Sequence, residues 1–250
     1  RTVIDMLNVK CVSKSFGGLQ AVRNVDMTLR EGEILGLVGP NGAGKTTLLN
    51  MISGVCRPDA GGIYFEEENI TRLTLDAICK RGIAKTFQHP RSFPGLSAKE
   101  GVMISALYGN GHKPGMKQAQ KEAIECLQRV GFPDEKMDCP LGTLNTIDLR
   151  KTQLARALAS KPKMLLLDEI MTGLTPSEGK EAIKLIRSLR DEGLTILMIE
   201  HVMKIIMEVS DRVVVLDQGE KIAEGTPREV AADERVIESY LGEQYHFQEH

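Results

Sequence analysis

Apolar and polar positions change rhythm several times along the chain, and each change predicts an element. Ile34-Leu35-Gly36-Leu37-Val38 is a continuous apolar run, which suits a strand buried on both faces. Before it, Val3 to Ser13 is rich in β-branched residues, Phe16-Gly17-Gly18 is a turn signal, and Val25 to Leu29 alternates apolar and polar. A glycine-rich loop follows the apolar run, and Thr46 to Ile52 begins a helix. Ile63-Tyr64-Phe65 reads as a short strand, and Glu66 to Glu68 as a solvated turn rather than a metal site.

The rhythm changes after Phe87. From Gln88 to about Ser160 no long strand is expected, and Pro90, Pro94, Gly95, Gly109, Gly111, Pro114 and Gly115 read as loops. Met116 to Val130 carries apolar residues at 116, 119, 123, 124, 127 and 130, a helical spacing whose side chains are expected in a core. This stretch reads as an inserted helical subdomain. An α/β rhythm then returns. Met164 to Leu167 predicts a buried strand ending in Asp168-Glu169, Glu178 to Arg190 an amphipathic helix, and Thr195 to Ile199 a strand ending at Glu200-His201. Val213 to Leu216 is a further strand with a turn at Asp217-Gln218-Gly219, and Pro227 to Leu241 looks helical. There is no internal repeat and no low-complexity linker.

Composition narrows the class without choosing a function. A chain of 250 residues suits one large α/β domain or a core with one insertion. Hydrophobic residues make 42% and charged residues 26%, values ordinary for a globular protein, and no apolar run approaches the ~18 residues of a membrane span. The net charge of −2 argues against a generally basic nucleic-acid binder. Cys11, Cys56, Cys79, Cys126 and Cys139 are odd in number and lack a C-x-x-C pair. They read as reduced thiols of a cytosolic protein, with a zinc site the minor alternative. His246 and His250 read as solvated tail residues. The chain starts at Arg1 without an initiator Met or a secretory leader, and a native N-terminus beyond it is expected.

The chemistry is concentrated in a few segments. Gly39-Pro40-Asn41-Gly42-Ala43-Gly44-Lys45-Thr46-Thr47 matches G-x-x-x-x-G-K-[ST], between a buried strand and a helix as that motif requires. Glycines let the backbone turn its N–H groups toward phosphates, and the helix N-terminus adds a positive dipole end. Lys45 brings a cation to the β- and γ-phosphates, and the Thr46 hydroxyl is a candidate Mg²⁺ ligand. An accidental glycine turn would not be expected to carry the lysine, the threonine and both flanking elements. The strand Leu165-Leu166-Leu167-Asp168-Glu169 delivers two carboxylates to the carboxyl edge of a parallel sheet, where ligands bind. Asp168 is the candidate Mg²⁺ holder and Glu169 the group that orients or deprotonates the attacking water. Such a pair is weak alone, because a solvated strand end looks the same. It gains strength from following a phosphate loop by about 120 residues. His201, at the end of the next strand, could reach a γ-phosphate from the same edge or be structural. Gln88, after Thr86-Phe87, could sense Mg²⁺ and the water.

Together the phosphate loop, the glutamine, the Ala155-Arg156-Ala157-Leu158 helix, the Leu-Leu-Leu-Asp-Glu strand and the strand-end histidine resemble ABC-transporter ATPase subunits over nearly the whole chain. Phe16-Gly17-Gly18-Leu19-Gln20-Ala21-Val22, Thr86-Phe87-Gln88 and Ser239-Tyr240-Leu241-Gly242-Glu243 are similar to the branched-chain (hydrophobic) amino acid transporter group. The resemblance implies an α/β P-loop NTPase (RecA-like) core, residues 1–87 and 161–250, with an antiparallel β subdomain and an inserted helical subdomain at 88–160. It implies ATP and Mg²⁺ as ligands, with Mg²⁺ at Thr46, Gln88 and Asp168. Phe16 would stack on adenine, the alternative being a core aromatic. It further implies a cytoplasmic position on the inner face of the cell membrane and transmembrane permease subunits contacted near Gln88 to Ala106, without nucleic acid.

The family pattern breaks at one place. ABC ATPases work as head-to-tail dimers, and an LSGGQ-type segment of one subunit meets the nucleotide of the other. Here that segment is Leu144-Asn145-Thr146-Ile147-Asp148, and only Leu144 matches. Asn145 stands for the serine and keeps an amide donor. Ile147 stands where glycine lets the backbone approach phosphate, and a β-branched side chain should obstruct that approach. Asp148 either adds charge near a phosphate or caps the helix. Ile170 stands where proline usually follows the glutamate. Thr175, in Thr172-Gly173-Leu174-Thr175-Pro176, replaces the usual Asp or Asn of the dimer-crossing loop. The chain's own site is intact and the segment it lends is not, which suggests a heterodimer with a second ATPase subunit, a homodimer being the alternative. The rival functions are a non-transport ABC ATPase and an ATP-binding regulatory subunit with little turnover. A GTPase would need an N-K-x-D motif, which the sequence lacks.

Overall fold

The computed structural model describes residues 4–87, 95–109, 114–171, 173–200 and 203–246. In chain order the elements begin with β1 (Asp5–Phe16), β2 (Leu19–Arg30), β3 (Ile34–Val38), α1 (Lys45–Ile52), β4 (Ala60–Phe65) and β5 (Glu68–Asn69). Then come α2 (Leu75–Cys79), β6 (Ile83–Lys85), α3 (Ala98–Tyr108), α4 (Met116–Arg129), α5 (Thr146–Ala159), β7 (Met164–Asp168) and α6 (Pro176–Asp191). The chain ends with β8 (Thr195–Ile199), α7 (Met203–Val209), β9 (Arg212–Asp217), β10 (Glu220–Gly225), α8 (Pro227–Ala231) and α9 (Glu234–His246). Two compact units form, residues 1–75 with 186–250, and residues 76–185.

In the first unit, β1 and β2 form an antiparallel hairpin that turns at Gly17-Gly18, and β4 pairs with the other edge of β1. A second set of strands holds β3 in parallel between β8 and β9, with Leu37 opposite Ile199 and Val38 opposite Val215. Every residue of β3 and β8 is buried, as their unbroken apolar runs require. Each buried Leu or Ile there contributes roughly 1.5–3 kcal/mol of transfer free energy. β10 returns antiparallel on β9 through Gln218 and Gly219, both at positive φ.

In the second unit, β6 runs parallel to β7, with Ile83 opposite Met164 and Lys85 opposite Leu166. Helices α3, α4 and α5 pack on one another. Their shared core includes Val102 and Ala106, Ala119, Ala123 and Leu127, and Ala155 and Leu158.

One helix was not anticipated and two readings of the sequence need correction. Between Gly95 and Gly109 lies α3, started by a capping box in which Ser97 accepts from the Glu100 N–H and the Glu100 carboxylate accepts from the Ser97 N–H. Met116, the first residue of α4, is 64% exposed and is no core residue. The C-terminal helix is two helices, since Asp233 accepts from the Arg235 N–H and starts α9 anew.

Candidate functional site

The phosphate loop leaves the buried strand β3 and enters α1. Its backbone is one that only glycine fits. Gly39 has φ +148, and a Cβ there would lie 1.9 Å from the Leu216 carbonyl oxygen. Gly44 has φ +97, and a Cβ there would lie 2.3 Å from the Ala21 carbonyl oxygen. The loop is thus wedged between β2 and β9. The β9–β10 turn ties it further: the Gly219 N–H donates to Ala43 O at 3.2 Å, and Gly219 O accepts from the Arg23 N–H at 2.7 Å. Gly39, Pro40 and Ala43 are buried, while Asn41 and Gly42 are exposed.

Within this cradle the Lys45 ammonium donates to the carbonyls of Gly39 at 2.6 Å and Pro40 at 2.8 Å, so the cation is held across the mouth of its own loop. Gly44 caps α1 without a side chain, and the first turn carries no acidic residue. The helix start therefore offers backbone N–H groups and a positive dipole end. Thr46 and Thr47 are half-buried in that first turn. Backbone N–H groups, one ammonium and a hydroxyl are the donor set that a polyphosphate with Mg²⁺ requires. Phe16 ends β1 with its ring 52% exposed, which excludes a core role, and the Lys14 ammonium lies 5.4 Å from the ring centroid.

Asp168 ends β7 fully within the fold, and its Oδ2 lies 3.5 Å from the Lys85 ammonium. Its N–H donates to Thr86 Oγ1 at 3.1 Å. Glu169 follows, buried, at φ +52, where a side chain other than glycine's is strained. Glu200 is buried after β8. Gln88, Thr172 and His201 lie outside the described residues.

The altered segment forms the start of α5. Asn145 is its N-cap, accepting from the Asp148 N–H at 2.8 Å. Asp148 was expected to cap the helix or to present its charge. It does neither. Its carboxylate is buried and bonded to the Lys136 ammonium at 2.7 Å. Thr175 caps α6 as Asn145 caps α5, its Oγ1 accepting from the Glu178 N–H at 3.3 Å, and its own N–H and hydroxyl donate to the Glu178 carboxylate at 2.8 Å. Lys85, Lys136 and Gly219 are the supporting residues that sequence reasoning missed. Lys85 stands just before Thr86-Phe87-Gln88, and Gly219 was legible as a turn residue but not as a support of the loop.

A glycine cradle at the end of a buried parallel strand, a lysine and threonine entering the helix, and a strand-end aspartate define a P-loop nucleoside triphosphatase. The family model described as ABC transporter matches residues 22–172, and that described as branched-chain amino acid ATP-binding cassette transporter matches residues 220–246. The high-affinity branched-chain amino acid transport ATP-binding protein LivG of Salmonella typhimurium is 39% identical over 251 residues, covering 95% of this chain and 98% of LivG. Among solved structures, the ADP conformation of an ABC-transporter ATP-binding cassette superposes with a TM-score of 0.85 at 28% identity, covering 96% of this chain and 99% of that one. A dimeric bacterial ABC transporter cassette gives 0.83 at 27% identity, covering 89% and 99%. The chain belongs to the ABC transporter family and is an ATP-binding, ATP-hydrolysing subunit that uses Mg²⁺. Such cassettes dimerise and work with transmembrane permease subunits. No helix among the described residues is long and apolar enough to cross a membrane.

Proposed function

We propose that the chain energises import of branched-chain amino acids or a related small solute, as one half of an ATPase heterodimer. The phosphate loop, including Asn41, Gly42 and Thr47, holds the polyphosphate, with Lys45 on the β- and γ-phosphates and Phe16 against adenine. Glu169 takes the proton of the attacking water, and Gln88 and His201 orient that water and the γ-phosphate. Mg²⁺, when bound at Thr46, Gln88 and Asp168, supplies charge neutralisation for the transferring phosphoryl group. We read residues 88–160 as a helical subdomain inserted in the core, and the surface from Gln88 to Ala106 as the contact with permease subunits at the inner face of the membrane.

The observation that supports the heterodimer is the contrast between the glycine cradle of this chain's own site and the start of α5, where Ile147 is side-chain-bearing and Asn145 uses its carbonyl to cap the helix. The partner would supply a glycine-containing segment to this chain's ATP. ATP turnover of the assembled transporter decides it. Glu169→Gln is expected to lower turnover by about 100-fold or more while ATP stays bound. The corresponding glutamine in the partner is expected to cost far less. Equal losses from the two substitutions, or a cooperative ATPase from this chain alone as a homodimer, would overturn the reading.

A further inference from the structure

A cavity of about 280 Å³ lies within the unit formed by residues 76–185. It is close to the lower bound of ~300 Å³ for small-ligand sites. Two helix faces form its walls. Ile147, Arg150 and Leu154 lie along one face of α5, and Glu181 and Ala182 along one face of α6. Ile170 and Leu174, from the segment after Glu169, complete the wall. Both isoleucines that depart from the family pattern, Ile147 and Ile170, therefore meet in one place. Both contribute aliphatic surface to the same cavity.

The charged groups on the lining divide into engaged and available ones. The Lys151 ammonium donates to Gly131 O at 2.8 Å, Glu178 is committed to Thr175, and Arg129 is also engaged. The side chains of Arg150 and Glu181 make no hydrogen bond or ion pair among the described residues. Arg150 is half-buried and Glu181 exposed. A guanidinium, a carboxylate and a floor of Ile, Leu and Ala side chains suit a ligand with a carboxylate, an ammonium and an aliphatic body. A bidentate Arg–carboxylate pair fixes one end, and the apolar floor takes the other.

We propose that this cavity is a binding site for an aliphatic amino acid, distinct from the phosphate loop of this chain. An occupant would bridge the first turns of α5 to the segment that follows Glu169.

Isothermal titration of the full chain with L-leucine tests it. Wild-type protein is expected to bind L-leucine in the millimolar range or tighter. Isovalerate, which lacks the ammonium, and isoamylamine, which lacks the carboxylate, should each bind at least about ten-fold more weakly. Arg150→Gln should weaken leucine binding at least about ten-fold, and Ala182→Phe should block it by filling the cavity. ATP affinity should be unchanged in both variants, which verifies that they fold. Absence of leucine binding to the wild type overturns the proposal. So does leucine binding that both substitutions leave unchanged, and so does isovalerate binding as tight as leucine.

Discussion

The Lys85 ammonium sits 3.5 Å from Oδ2 of Asp168, with 5% and 2% of the two side chains exposed. Parallel pairing of β6 with β7 sets Lys85 opposite Leu166, two residues before Asp168. A carboxylate proposed to hold Mg²⁺ is thus already balanced by a fixed protein cation. Removing either charge leaves the other in a low-dielectric setting. Lys85→Met is expected to lower the free energy of unfolding by about 3 kcal/mol. The double variant with Asp168→Asn should cost less than the sum of the single ones by at least about 1 kcal/mol. Urea unfolding of the four proteins measures this, and additive losses would show that the pair is not energetically coupled.

The phosphate-loop glycines should fail in different ways. A Cβ at Gly39 meets the Leu216 carbonyl oxygen at 1.9 Å, backbone that has no room to move because β9 is paired on both sides. Gly42 also has positive φ, +78, but a Cβ there meets nothing within 4 Å. Gly42→Ala is expected to fold with a loss of about 1–2 kcal/mol and to bind ATP more weakly. Gly39→Ala is expected to lose more than about 4 kcal/mol or to fail to fold. Thermal unfolding with and without Mg-ATP separates the two, and equal stability of the variants would contradict the cradle geometry.

The parts of the fold that the sequence made legible are those governed by local pattern. β3 and β8 are continuous apolar runs, and their burial follows from composition alone. The loop glycines were legible because they stand in the G-x-x-x-x-G-K-[ST] spacing between a buried strand and a helix. What escaped was set by partners distant in sequence. Gly219 supports the loop from more than 170 residues away, and no local signal ties it to Ala43. Lys136 and Asp148 meet because α5 and a short 3₁₀ turn at Asp134–Lys136 come together in space. The start of α3 escaped for a different reason: nearby prolines and glycines outweighed the Ser97–Glu100 capping box.

Three helix starts share one carboxylate arrangement, and it contributes to stability against acid. The Glu100, Glu178 and Glu229 carboxyls accept from the backbone N–H groups of Ser97, Thr175 and Thr226, and then from their hydroxyls. All three are held below the ordinary glutamate value. A lowered folded value means that the stabilisation is complete above the unfolded value of about 4.3, and is lost as pH falls through the folded value. The melting temperature is therefore expected to drop below about pH 4.3. Replacing all three by Gln, which keeps an acceptor, should flatten that acid limb while costing little near pH 7. An unchanged acid limb would assign it to other carboxylates.

The start of α5 gives an unequal pair of substitutions. Asp148 is 4% exposed, whereas Lys136 is 39% exposed in its side chain. Asp148→Asn leaves Lys136 a cation with access to water, so its charge is not stranded. Lys136→Met leaves a buried carboxylate without its ammonium, only partly offset by the positive end of α5. Lys136→Met is accordingly expected to lower the melting temperature more than Asp148→Asn. The Lys136 ammonium titrates above its ordinary value because of its hydrogen bond to Asp148. The contribution of the pair is thus complete below the unfolded lysine value of about 10.4 and is lost as pH rises through the folded one. If the two variants melt alike at neutral pH, the burial of Asp148 is not what makes the pair matter, and the altered segment would owe its shape to the Asn145 cap alone.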